Sequence, residues 1–147
     1  MNSQIGGAMT KYTTDSETGT FELARKIAQG LTPGDILALY GDLGSGKTVF
    51  ARGLAAGLGI TDEVTSPTFA LVHEYHGNGN SLYHFDMYRV CGYESLCSTG
   101  FFDYMDENGI LLVEWSENIE QHLPPGTTKV TIKRTGDNTR QITIESL

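Results

Sequence analysis

The chain has 147 residues, of which 39% are hydrophobic and 19% charged, and its formal net charge at pH 7 is -8. This length and composition predict one globular domain in the cytoplasm, with neither a membrane span nor a signal peptide. Because so acidic a chain repels phosphate backbones, we do not expect it to bind nucleic acid by itself. Its two cysteines, Cys91 and Cys97, have a spacing typical of no zinc site, and we expect ordinary thiols.

The first predicted element is a helix. Residues 1–11 are polar and rich in small side chains, which predicts a flexible N-terminus ahead of a single domain over residues 12–147. Residues 16–29 form a helical pattern, and Gly30 follows as a stop signal. We expect this helix to pack on a sheet, while its N-terminal edge is a candidate contact for a nucleotide base.

Residues 41–48 (GDLGSGKT) match the P-loop pattern G-x-x-x-x-G-K-[ST]. They follow a short apolar run over residues 35–40, typical of a buried strand, and precede a helical pattern that stops at Gly59. In such a loop, glycines let backbone N–H groups close around phosphate oxygens, and the helix N-terminus attracts the same anions. A Gly-rich turn capped by Thr48 is the simpler alternative, but it gives Lys47 no role. We therefore predict a nucleotide site made of Asp42, Leu43, Gly44, Ser45, Gly46, Lys47, Thr48 and Val49.

Residues 65–69 (TSPTF) precede an alternating strand pattern, and a turn at residues 77–80 leads into a second strand over residues 81–86. This arrangement predicts an antiparallel hairpin. Ser66 and Thr68 either begin the first strand or form a loop that senses the γ-phosphate, as switch segments do in other P-loop proteins. Their spacing favours neither reading.

Two carboxylates stand at the ends of apolar strand patterns. Glu114 closes the run Ile110–Val113, which has the Walker B form and suits a central parallel strand. Such a strand would bring Glu114 to the carboxyl edge of the sheet, where open α/β sheets bind ligands. We predict that Asp86 and Glu114 face a Mg²⁺ ion and the attacking water, with Lys47 on the phosphates and the Thr48 hydroxyl as a further metal ligand. The alternatives are that Asp86 caps the next turn and that Glu114 is an exposed strand-end acid.

The C-terminal part carries two more features. Trp115, the only tryptophan, is a packing residue, a lid over the nucleotide or a partner contact. Residues 129–133 and 140–145 alternate around a Gly-Asp-Asn turn and predict a final hairpin, whose arginines Arg134 and Arg140 either steady a phosphate or base or are exposed strand residues. The predicted fold is a three-layer α/β P-loop NTPase-like domain with a mixed sheet and antiparallel hairpin additions.

Four segments together resemble the TsaE family of tRNA threonylcarbamoyladenosine biosynthesis ATPases. They are residues 41–48 (GDLGSGKT), 66–69 (SPTF), 83–89 (YHFDMYR) and 113–115 (VEW), and the likeness extends over about residues 16–145. The resemblance implies an ATP-binding protein with weak ATPase activity that uses Mg²⁺ and cycles between ATP and ADP. It also implies a role in t6A37 modification of tRNA through the TsaB and TsaD proteins.

The resemblance also implies roles for individual residues. Lys47 would contact the phosphates, and Thr48 and Glu114 would hold Mg²⁺. Asp86 resembles the family's acid near the metal and water. The likeness further implies nucleotide contacts from Glu17 and Arg140.

Two other function classes remain open from the residues. A small-metabolite P-loop kinase needs a positive lid over the transferred phosphoryl group, yet the chain has only ten Lys and Arg residues and no Arg-rich lid segment. A nucleotide-gated binding module would use the nucleotide to shape a partner surface without useful turnover.

Overall fold

Seven strands form one mixed sheet in the computed structural model, which describes residues 9–42, 44–64 and 71–147. The strands are β1 (Met9–Thr14), β2 (Ile36–Tyr40), β3 (Val72–Gly77), β4 (Asn80–Asp86), β5 (Ile110–Glu114), β6 (Thr128–Arg134) and β7 (Arg140–Ser146). The helices are α1 (Glu17–Ala28), α2 (Lys47–Gly57), α3 (Gly92–Ser98) and α4 (Phe101–Met105), followed by 3-10 turns at Ser116–Asn118 and Glu120–His122. None of the helices in these described ranges has the length and apolarity needed to cross a membrane.

The sheet is parallel at its centre and antiparallel at its margins. Its strand order is β1-β7-β6-β2-β5-β4-β3, and β2 pairs in parallel with both β5 and β6. Strand β4 runs parallel to β5, whereas β3 is antiparallel to β4 and β7 is antiparallel to β6 and β1. The predicted mixed sheet with a hairpin on each side is therefore confirmed.

The two faces of the sheet are covered by different helices, which gives three layers. Strands β2 and β5 are buried along their whole length, as expected for central strands with continuous apolar sequences. On one face, Leu112 packs with Ala24 of α1 and Leu54 of α2. On the other, Leu111 packs with Phe101 of α4 and with neighbouring aromatic residues.

Glycines bring α1 and α2 unusually close together. A Cβ atom at Gly53 would lie 2.3 Å from the carbonyl oxygen of Phe21, and one at Gly57 would lie 2.4 Å from that of Arg25. Neither position therefore has room for a side chain. This contact fixes α2, and with it the P-loop that leads into α2, against the first helix.

The prediction of a flexible terminus is wrong for residues 9–11. These residues belong to β1, which pairs along its length with β7 from Arg140 to Glu145. Most side chains of β1 are exposed, so the strand lacks the alternating apolar pattern that marks a half-buried strand. Backbone hydrogen bonds to β7 therefore hold a segment whose sequence gives little sign of a strand.

Candidate nucleotide site

The P-loop connects β2 to α2, and two of its glycines have a backbone conformation suited to phosphate binding. Gly44 and Gly46 have φ angles of 80° and 109°, in the left-handed region that favours glycine. Gly46 is the N-cap of α2 and can offer no side-chain cap, so the first N–H groups of the helix stay available to an anion. Ser45, which is 3% exposed, donates its backbone N–H to the carbonyl of Asp42 at 3.0 Å.

Arg140, at the start of β7, binds the P-loop from its carbonyl side. Its Nε donates to the backbone oxygen of Ser45 at 2.7 Å, and its Nη2 donates to that of Gly44 at 3.4 Å. A third bond, from Nη1 to the carbonyl of Thr139 at 3.0 Å, fixes the guanidinium to its own hairpin. In this structure the arginine predicted as a nucleotide contact holds the loop backbone.

The two predicted acids lie side by side at the carboxyl edge of the sheet. Asp86 is the register partner of Glu114 in the parallel β4–β5 pair, and Glu114 is also the partner of Leu39 in the β2–β5 pair. Partners in a parallel ladder project from the same face, so both carboxylates lie on the α1–α2 side of the sheet. Because the P-loop follows β2 at this edge, the loop and both acids meet in one place.

Glu114 is a buried carboxylate with a histidine partner. The residue is only 4% exposed, and its Oε2 lies 2.5 Å from Nε2 of His84, which is 0% exposed. Burying a carboxylate is costly unless it is hydrogen-bonded, and His84 supplies that bond.

Asp86 is half-buried, and its surroundings push its pKa in both directions. Its Oδ1 accepts a hydrogen bond from the backbone N–H of Tyr88 at 2.9 Å. Burial raises the pKa of the Asp86 carboxyl above its ordinary value, and the charge of Glu114 adds to this rise. The Tyr88 N–H, His84 and Lys47 oppose it. Lys47 and both acids therefore share one electrostatic environment.

Trp115 lies directly against the P-loop lysine. The Nζ of Lys47 is 4.7 Å from the centre of the indole ring, a cation–π contact, and the ring of Tyr88 lies 4.8 Å from the same indole. Trp115 also has a φ of 58°, a left-handed conformation that is strained for a bulky residue. The strained turn after β5 thus directs the only tryptophan of the sequence towards the P-loop lysine.

The structure gives the positions of some of the other predicted site residues. Thr48 and Val49 lie in the first turn of α2, directly after Lys47. Glu17 is exposed at the start of α1, and no contact joins it to the loop within the described ranges. The predictions for Leu43, Ser66 and Thr68 concern residues that lie outside those ranges.

His84 is a buried residue of the site that is not among the residues predicted from the sequence. The alternation of β4 places His84 on the same face as Asp86 and opposite Phe85. The signal that identifies it is its position two residues before a strand-end acid, on the same face of the strand.

The donor set at this edge fits a magnesium ion. The carboxylates of Asp86 and Glu114 and the hydroxyl of Thr48 are oxygen ligands, the type that Mg²⁺ prefers, and the ion usually takes its remaining ligands from phosphates and water. The buried Oγ of Ser45, which has no hydrogen-bond partner among the described residues, adds a polar atom inside the loop.

The family model described as "Threonylcarbamoyl adenosine biosynthesis protein TsaE" matches residues 14–142. This chain belongs to the TsaE family. It is 42% identical over 137 residues to the tRNA threonylcarbamoyladenosine biosynthesis protein TsaE of Bacillus subtilis, a match that covers 93% of this chain and 85% of the relative. The protein of the same name from Treponema pallidum is 40% identical over 118 residues, covering 80% and 87% of the two chains.

A solved structure supports the same fold. The crystal structure of Bacillus subtilis YdiB superposes with a TM-score of 0.78 at 39% identity, over 92% of this chain and 84% of that one. The predicted P-loop NTPase-like fold and the TsaE family membership are confirmed.

Proposed function

We propose that this protein binds ATP with Mg²⁺, hydrolyses it slowly to ADP and couples that cycle to the t6A37 modification of tRNA in the cytoplasm. One observation carries the proposal. An open helix N-terminus, the cation of Lys47 and two in-register carboxylates meet at a single edge of the sheet. A site of this composition can hold a nucleoside triphosphate, its metal ion and a water molecule together.

Each residue of the site has a proposed role that follows from its chemistry. Backbone N–H groups at the start of α2 and the ammonium of Lys47 bind the phosphates. Arg140 stabilises the loop through its hydrogen bond to the backbone oxygen of Ser45. Asp86, Glu114 and the Thr48 hydroxyl would hold Mg²⁺, which neutralises phosphate charge when it is bound. Glu114, which is hydrogen-bonded to His84, would orient the attacking water.

The negative net charge of the chain supports a function through partner proteins. With a net charge of -8, the chain gains little from direct contact with tRNA, so we propose that TsaB and TsaD make the contacts with the RNA. Trp115 stands between the nucleotide site and Tyr88, which is 60% exposed. It is therefore suited to serve as a lid or to pass a change at Lys47 to a partner.

The Lys47→Ala variant tests the nucleotide site. Removal of the ammonium takes away the only side-chain cation of the P-loop, so we expect ATP affinity by calorimetry to fall about 100-fold or more, the equivalent of about 3 kcal/mol. Lys133→Ala, which removes an exposed lysine of β6, is the matched control and should bind normally. Equal affinities for the two variants would refute the assignment.

Steady-state phosphate release tests the coupling. We expect slow release from the chain alone and a clear change when TsaB and TsaD are added. Tight binding without turnover in both conditions would support the nucleotide-gated module instead. Transfer of phosphate to a small acceptor would support the kinase.

A further inference from the structure

We propose that His84 is a positioning residue for Glu114, a role that rests on the proposed function of that carboxylate. The imidazole Nε2–H holds Oε2 of Glu114 and so fixes the orientation of the carboxyl group. The bond uses Oε2, and no hydrogen bond from residues 9–42, 44–64 or 71–147 occupies Oε1, which can therefore face the metal ion or the attacking water.

The sheet places the two residues for this contact. His84 is the register partner of Leu112, two residues before Glu114 on the neighbouring strand. Residues two apart on a strand share a face, so the imidazole lies beside the glutamate on the α1–α2 side of the sheet. Because central strands are stiff and both residues are buried, this pair has little freedom to rearrange.

The chemistry of the two side chains shows which of them donates the hydrogen bond between His84 and Glu114. An ionised carboxylate can only accept, so the proton lies on Nε2 of His84. His84 Nδ1 is buried and has no hydrogen-bond partner in the described part of the chain. A proton on Nδ1 would be a buried donor without an acceptor, which is unfavourable. A donor at Nε2 therefore fits this site.

A histidine that only fills the core would not need to face a functional acid. Leu82, two residues earlier on the same face of β4, fills the core with an apolar side chain. At position 84 the strand instead carries a polar ring that is hydrogen-bonded to Glu114. In known metal sites, partners that orient a ligand in this way change metal affinity or activity by about 10- to 100-fold when they are lost.

Two amide variants distinguish positioning from packing. In His84→Gln the amide nitrogen takes about the place of the imidazole Nε2, whereas in His84→Asn it takes the place of Nδ1 and cannot reach Glu114. His84→Leu removes the donor and keeps an apolar side chain. For each variant we would measure ATP affinity by calorimetry with Mg²⁺ and with EDTA, and define the ratio of the two affinities as the magnesium gain.

We expect the magnesium gain of His84→Gln to stay within about threefold of the wild-type value. In His84→Asn and His84→Leu the magnesium gain should be about tenfold lower or more. Affinity in EDTA should stay the same in all three, and thermal unfolding identifies any variant that is not folded. Equal gains for the Gln and Asn variants would overturn the proposal. If the wild-type chain itself shows no magnesium gain, the proposed metal-dependent function fails instead.

A measurement on the wild-type protein keeps the test independent of how the variants fold. Nitrogen-15 NMR of labelled histidine reports which ring nitrogen carries the proton. We expect a protonated, hydrogen-bonded Nε2 for His84, and its signal should shift when Mg²⁺ and ADP are added. An unprotonated Nε2, or a signal insensitive to Mg²⁺ and ADP, would overturn the proposal.

Discussion

The ends of β4 and β5 are neighbours in the sheet, yet they give their acids different surroundings. Glu114 lies on β5, which has parallel partners on both sides, and it is buried and bound to His84. Asp86 lies on β4, whose outer neighbour is the edge strand β3, and it is half-buried with a backbone N–H as its partner. The same register position therefore yields one rigidly held carboxylate and one that is accessible and adjustable.

The largest effect should come from the rigidly held acid. Glu114→Gln keeps the shape of the side chain but removes the negative charge that we propose orients the attacking water. We expect hydrolysis in the presence of the proposed partners TsaB and TsaD to fall about 100-fold or more, with ATP affinity in EDTA unchanged. Phosphate release and calorimetry measure the two quantities separately.

The accessible acid should matter less. Asp86→Asn preserves the acceptor for the Tyr88 N–H but removes the charge, and we expect about a tenfold loss of hydrolysis that excess Mg²⁺ partly restores. If Asp86→Asn abolishes turnover while Glu114→Gln hydrolyses normally, the roles of the two acids are reversed.

The P-loop lies at the same edge of the sheet as both acids, and Arg140 is hydrogen-bonded to its backbone. Arg140→Ala removes charged hydrogen bonds to the carbonyls of Ser45 and Gly44, and each such bond is typically worth about 1.5 to 3 kcal/mol. Since part of this energy goes into loop order, we expect a three- to tenfold loss of ATP affinity by calorimetry. Arg134→Ala is the matched control, because Arg134 is the register partner of Arg140 but binds Asp137 and the backbone of its own turn. Equal losses for the two variants would show that the hairpin charge matters and the loop bonds do not.

The smallest effect concerns stability without ligand. The pKa of Asp86 is raised in the folded protein, so its contribution to stability is fully present below the unfolded pKa and is lost as pH rises through the folded pKa. At pH 7 the ionised carboxylate is a cost, and Asp86→Asn should raise the free energy of unfolding by less than about 1 kcal/mol, because the group is partly exposed to solvent. Thermal unfolding in EDTA at pH 7 and pH 3.5 should show this gain shrinking or reversing at the lower pH. A gain of the same size at both pH values would rule out the charge as its source.

Local patterns were enough to predict the P-loop, its flanking strand and helix, and the strand that ends in Glu114. Each of these elements is encoded in consecutive residues, by an apolar run, a glycine-rich turn or a helical repeat. They also predicted that Asp86 and Glu114 would lie at the same edge, because parallel strands carry their carboxyl ends to one side.

Contacts between distant segments could not be predicted in the same way. The bond between His84 and Glu114 depends on the register of β4 against β5, which no single strand pattern fixes. The bond from Arg140 to the loop joins residues 95 positions apart in the chain. The pairing of residues 9–11 in β1 depends on a free edge of β7 and not on their own sequence.

The position of β2 has a consequence for synthesis of the protein. Its two neighbours, β5 and β6, come from residues 110–114 and 128–134, far later in the chain. A growing chain that already contains the whole P-loop therefore lacks both strands that would hold β2 in place. Nucleotide binding should appear on the ribosome only after β6 has emerged from the exit tunnel, as a late and abrupt event during translation.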